Sequence, residues 1–402
     1  MIKTLSKDIV VISDVHAAYN WDNVAIAVKG IANFLNPNNE LRKVIKKLNR
    51  SSGVGAVVFN GDAIDNFYAD YLNFTDFFGK LKKKRKNNWD LFNKSVGNLK
   101  KKYFQIPGNH EYRLESYNYR FWSRLVAFNI PDKIRKKVAK KIGHHNHRWW
   151  FELKSVLLKK RFKYLKKYKG LICPAFKQFD GYNMIFLNTR YDVVARMRNW
   201  WKLFKSFFRK GYFFTDAQGL RTKDIRFVRQ TLADNEDDTF HIFMHVPIIN
   251  SCYSRINEEY RLDLSNFRDS IAEQGLDHEV CLDNSGRFLK TLKRSKKNII
   301  LVTSHVHDSK YFLIDKKTMK AKEVSLKHFN RKRNNPIYIK HLTTLSLGNF
   351  SPYDPYKRTG YLRISNKGFK EVVVHKFAPK GKKKYNFEWS FFNFIKELFY
   401  SG

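Results

Sequence analysis

Five short clusters of carboxylate, amide and imidazole residues each close a brief apolar, β-forming run, and this recurrence constrains the fold more than any other feature. Asp8–Ser13 (DIVVIS) leads into Asp14-Val-His16, and Gly55–Asn60 (GAVVFN) into Gly61-Asp62-Ala-Ile-Asp65. Tyr103–Pro107 (YFQIP) leads into Gly108-Asn109-His110-Glu111. Thr239–Met244 (TFHIFM) then ends at His245, and Asn298–Thr303 (NIILVT) precedes His305-Val-His307. Runs of this length read as short buried strands, and strands followed by helical stretches suggest α/β construction. In open α/β sheets, ligand-binding groups sit beyond the carboxyl ends of the strands, where each of these clusters falls.

In order, the clusters spell DxH, GDxxD, GNHE, a single His and HxH. The chain resembles the calcineurin-like metallophosphoesterases, with the motifs and their strand-end context agreeing from residue 8 to residue 310. One DxH or HxH alone is unspecific; five separated motifs in order are specific. One departure is visible: Ser304 stands where the family usually has glycine. The resemblance implies an α/β metallophosphoesterase β-sandwich, two mixed sheets flanked by helices, and a dinuclear centre. It implies that Asp62 bridges two divalent metal ions. Asp14, His16 and His307 would complete one metal site, and Asn109, His245 and His305 the other. It also implies that His110 is the general acid, held and kept protonated through a hydrogen bond that it donates to Asp65.

The residue types make chemical sense independently. Two divalent ions about 3.5–4 Å apart clamp a phosphate and generate hydroxide near neutral pH. Mixed oxygen and imidazole ligands suit Mn, Fe or Zn without choosing among them. Alternation in Asp14-x-His16 and His305-x-His307 predicts that both side chains of each pair leave one side of an extended segment. Gly61 and Gly108 are expected to permit tight turns. The resemblance implies that a hydroxide bridging the metals attacks phosphorus in line while His110 protonates the leaving oxygen.

The remainder of the chain bears on the substrate. Its 402 residues carry 78 Lys and Arg against 36 Asp and Glu, a net charge of +42, with 35 Phe, 21 Tyr and 8 Trp. Such a field attracts polyanions. The expected partners are an anionic, phosphate-containing substrate and an anionic membrane surface, with nucleic acid as the alternative; no protein partner is defined. Three scattered cysteines lack metal-ligand or redox spacing and read as free thiols in a reducing compartment. The opening residues run into a strand-like stretch without a signal-peptide layout, and no window approaches about 18 uninterrupted apolar residues. A cytoplasmic protein, peripheral to a membrane, is the expectation.

The expected core is discontinuous, covering 1–111 and 171–380, with a basic helical insertion at 112–170. A hairpin is expected at Leu171–Phe179 and Tyr182–Asn188 around Asp180-Gly181. Tyr338–Leu347, Tyr361–Ser365 and Glu371–Phe377 read as further β structure forming a second sheet. In 196–211 (RMRNWWKLFKSFFRKG), about 100° per residue places Trp200, Trp201, Phe204 and Phe208 on an arc facing away from Lys202, Lys205 and Arg209. That pattern fits a helix lying in a membrane interface. A C-terminal amphipathic helix is expected at 386–400. These inserts resemble, more weakly, those of membrane-associated members such as UDP-2,3-diacylglucosamine hydrolases, implying a lipid-linked phosphate or pyrophosphate substrate. The alternative is a DNA or RNA nuclease or phosphodiesterase using the same dinuclear site.

Overall fold

The computed structural model describes residues 7–19, 36–66, 87–112, 168–191, 217–249, 260–261, 281–332, 334–348 and 358–376. The membrane-helix residues Trp200, Trp201, Phe204 and Phe208, nearly all of the 112–170 insertion, and the C-terminal 386–400 segment lie outside the described residues.

Three of the motif-bearing runs form parallel strands: β1 (Asp8–Ile12), β2 (Val54–Asn60) and β3 (Lys102–Ile106). They share a five-stranded sheet with β14 (Arg358–Ser365) and β15 (Gly368–Lys376) in the order β15-β14-β1-β2-β3. The other two runs, β7 (Thr239–Phe243) and β10 (Asn298–Thr303), are parallel neighbours in an eight-stranded mixed sheet. Its order runs β4 (Ala175–Phe179), β5 (Tyr182–Phe186), β7, β10, β13 (Tyr338–Thr343), β11 (Tyr311–Asp315), β12 (Lys320–Glu323), β8 (Tyr260–Arg261). A separate parallel pair joins β6 (Ala217–Gly219) to β9 (Cys281–Asp283).

Strand alternation sorts the apolar residues into layers. Ile9 and Val11 of β1 face Phe243, Ile300 and Val302 of the second sheet in one buried cluster, the filling of the sandwich. Val10 and Ile12 turn outward and meet α1 (Pro37–Arg50) and α2 (Asn88–Val96) through Leu41, Leu48, Trp89 and Phe92. On the opposite outer face, Ile242 and Leu301 pack against Val228 of α3 (Thr222–Asp234) and Phe288 of α4 (Ser285–Arg294). The result is two sheets between helices, as expected. Both faces of β1 are buried, which explains why its sequence is continuously apolar.

Local chemistry sets the element ends. Asn36 caps α1, its side chain accepting the Asn38 N–H at 2.9 Å with Pro37 at the first helical position, a cap worth about 1 kcal/mol. The expected hairpin is present, although β4 starts only at Ala175, after Pro174. Its Asp180 and Gly181 have φ of 49° and 81°, the double left-handed turn that Asp-Gly favours.

The expected grouping of the late strands is corrected. Tyr338–Thr343 joins the second sheet beside β10, but β14 and β15 cross to the first and pair antiparallel beside β1. Their apolar alternation fits either sheet, and only the long-range pairing with β1 decides.

Candidate metal centre

The C-terminal ends of β1, β2, β3, β7 and β10 meet at one edge of the sandwich and deliver the five clusters together. Asp14, His16, Asp62, Asn109, His110 and His245 are almost wholly buried there, with Asp65 nearly so. Ligand atoms of Asp14, His16 and His307 lie within 4.8 Å of one another, as do those of Asp62, His245 and His305. His16, Asp65 and His110 form a third such group.

The pairs do not converge as alternating residues of an extended strand. Asp14, His16, Asp62, His305 and His307 all adopt left-handed backbone, with φ of 49°, 50°, 51°, 72° and 60°. Tight turns beyond the strand ends, rather than the pleat, bring the side chains together, and at non-glycine residues these turns store strain. The loops after β1 and β2 travel side by side: the His16 N–H bonds the Asp62 carbonyl at 2.9 Å and Ala17 that of Ala63 at 3.0 Å. Gly61 takes φ +87°, and any Cβ on it would overlap the His245 ring. Gly108 matters through closeness, since a Cβ there would collide with the Asp62 carboxylate.

Asp62 lies at the middle. Its Oδ1 accepts the His110 backbone N–H at 2.9 Å. Its Oδ2 lies 3.1 Å from His245 Nε2 and 3.8 Å from the Nε2 atoms of both His16 and His110. Asp14 Oδ1 is 3.3 Å from His307 Nε2 and 3.9 Å from His245 Nε2. The His245 Nδ1–H donates to the Asn60 carbonyl at 2.9 Å, which turns Nε2 toward the carboxylates.

Burial alone would raise the carboxyls of Asp14 and Asp62. The imidazoles of His307 and His245 hold Asp14 below the usual carboxylate range, and those of His245 and His110 do the same for Asp62. Burial opposes a proton on His245, but Asp62 and Asp14 push it up to about 10. A bound divalent cation would take that proton's place. Asp14 Oδ1 and His245 Nε2 are buried with only the carboxylate and imidazole atoms of the cluster facing them, which fits atoms built to coordinate a metal. The donor set of carboxylate oxygens, imidazoles and an adjacent Asn amide fits divalent Mn, Fe or Zn.

The interaction expected between Asp65 and His110 takes a different form. The His110 Nδ1 hydrogen bond, at 2.7 Å, goes to the Asp65 backbone carbonyl. The Asp65 carboxylate lies 3.4 Å from both His110 Nδ1 and His16 Nδ1, between the two rings.

Glu111, the last letter of GNHE, had no assigned part. Its buried carboxylate accepts backbone N–H groups from Asp62 (3.0 Å), Ala63 (2.6 Å), Ile64 (3.3 Å) and Gly108 (2.5 Å), tying the loops after β2 and β3 together. Burial and the neighbouring Asp62 charge push it up to about 7. Its position in the motif was legible, but its partners are main-chain groups, which leave no pattern of residue types.

Buried carboxylates and imidazoles gathered at the strand ends of a two-sheet sandwich form a candidate metal-binding site. The chain belongs to the calcineurin-like phosphoesterase family, whose model matches residues 7–309. No curated protein sequence matches it. Among solved structures it is similar to a dimetal phosphatase from Danio rerio at 13% identity and TM-score 0.45, covering 93% of this chain and 99% of that one. It is also similar to PhoD at 10% identity and TM-score 0.43, covering 94% of this chain and 73% of the other.

Proposed function

We propose that the chain is a dinuclear metal-dependent phosphohydrolase that cleaves a phosphate ester or pyrophosphate, acting at a membrane surface on a lipid-linked substrate. The observation that carries the reaction class is the meeting of two ligand groups, Asp14/His16/His307 and Asp62/His245/His305, within a single cluster that is buried except for the half-buried His305 and His307. In this reading Asp62, central to both, is the shared ligand, and Asn109 joins His245 and His305. When bound, two divalent ions neutralise phosphoryl charge and lower the pKa of water. The chain's own residues fix the geometry around them. The Asn60 carbonyl orients His245, and the Asp62 carboxylate is aimed by the His110 N–H. His110, anchored through Nδ1 to Asp65, turns Nε2 toward the centre and supplies a proton to the leaving oxygen.

His110→Ala is therefore expected to keep the wild-type metal content and lose at least about 100-fold in kcat. Metal analysis and turnover of p-nitrophenyl phosphate and its bis-ester check this; unchanged turnover would remove His110 from the role.

The membrane part of the proposal rests on the Trp/Phe and Lys/Arg faces of 196–211 and on the +42 charge. Among the described residues no helix is long and apolar enough to cross a membrane. Flotation with anionic and neutral vesicles at about 0.5 M salt, where exposed charges are largely screened, tests attachment by apolar insertion. Binding that persists there, and disappears when Trp200, Trp201, Phe204 and Phe208 are made polar, supports the lipid substrate. Binding abolished by salt alone would favour nucleic acid instead.

A further inference from the structure

Ser304 occupies the one motif position where the chain lacks the family's usual glycine, and its backbone does not need glycine. Among the described non-glycine residues with positive φ, His305 and His307 appear and Ser304 does not. Its side chain is wholly buried and sits inside a continuous polar chain. The Asn60 Nδ2 donates to Ser304 Oγ at 2.7 Å, Ser304 Oγ meets Thr344 Oγ1 at 3.0 Å, and Thr344 Oγ1 meets Ser13 Oγ at 2.8 Å. Ser13 closes the chain by donating to the Leu345 carbonyl at 3.3 Å. One direction satisfies every hydroxyl: each accepts from the Asn60 side and donates toward Leu345.

The chain joins the two sheets immediately behind the candidate metal ligands. Ser13 follows β1 and Asn60 ends β2 of the first sheet, next to Asp14 and two residues before Asp62 respectively. Ser304 and Thr344 follow β10 and β13 of the second sheet, Ser304 being next to His305. Asn60 further donates to the Met244 carbonyl at 3.2 Å, and its own carbonyl orients His245. Ligands from the first sheet and imidazoles from the second are thus tied by side chains that do not reach the cluster themselves.

We propose that Ser304 and Thr344 are positioning residues of the metal centre, locking its two halves in register before a cation binds. This inference rests on the reading of Asp14, Asp62, His245 and His305 as ligands. Partners that orient ligands from behind affect metal affinity by about 10- to 100-fold. Loss of this relay should act on affinity without removing any ligand.

The test is calorimetric titration of metal-free protein with Mn(II), and in parallel Zn(II), for wild type, Ser304→Ala, Thr344→Val and Thr344→Ser. Thr344→Val keeps the volume and deletes the hydroxyl; Thr344→Ser deletes a methyl and keeps the hydroxyl. Expected are two ions per wild-type chain, about tenfold weaker binding in Ser304→Ala and Thr344→Val, and near-wild-type affinity in Thr344→Ser. A purely packing role would reverse the two Thr344 variants, with Thr344→Ser the weaker binder, and would overturn the proposal. Two ions bound by wild type, with unchanged affinity in Ser304→Ala and Thr344→Val, would also overturn it while leaving the metal-centre reading intact. No uptake by wild type would overturn both.

Discussion

Glu111 shows how much of the centre is built by a residue that need not touch a metal. Its carboxylate gathers N–H groups from the loops carrying Asp62 and Asn109, holding the left-handed turn at Asp62 in place. Glu111→Gln replaces one acceptor oxygen with an amide donor facing those N–H groups. It is expected to cost about 1–3 kcal/mol, the scale for leaving buried N–H groups without an acceptor. Bound metal should fall as well. Urea unfolding and metal analysis would show both, and an unchanged midpoint with full metal content would mean that the loops hold themselves. The ligand residues were legible because each type carries its chemistry at a motif position. Their backbone was not: Asp14-x-His16 has the spacing of an extended pair, but both residues are left-handed, which residue type at non-glycine positions does not announce.

Strands were legible as elements wherever both faces are buried, since a continuous apolar run has few other uses. Their order was less so: β14 and β15 were misplaced because sheet membership depends on partners hundreds of residues away. β13 adds a property that periodicity hides. It carries His341 into the interior, where the ring packs 5.6 Å from Phe312 and Nε2 meets Thr303 Oγ1 at 3.1 Å. Burial pushes its pKa from 6.5 down to about 3. Between those values the unfolded chain binds a proton that the folded strand refuses. Its contribution is therefore intact above pH 6.5 and is lost as pH falls toward 3. At pH 5 the loss is about 2 kcal/mol. Comparing wild type with His341→Asn at pH 7.5 and 5.0 isolates this group from other titrations. The variant should lose less stability than wild type on acidification; equal losses would mean that water reaches the ring.

At the scale of the molecule, the candidate centre is where the two sheets are joined by charge. Asp14 and Asp62 come from one sheet, His245, His305 and His307 from the other, and the lowered carboxyls and raised His245 have the direction of an attraction between them. A cation that binds the closed arrangement and not the unfolded chain stabilises by mass action, about 4 kcal/mol at a thousand times Kd. For a chain of 402 residues that corresponds to a melting shift of roughly 5 °C. Chelation followed by dialysis should lower Tm by this order, and returning Mn(II) or Zn(II) should restore it in a concentration-dependent way. The same titration carries a proton signature. With His245 pushed up to about 10, a metal ligating its Nε2 at neutral pH must release the proton that the carboxylates had held there. Binding heats measured in buffers of different ionisation enthalpy should therefore diverge, with the sign of net proton release. A metal that shifts Tm without buffer-dependent heat would be binding away from His245.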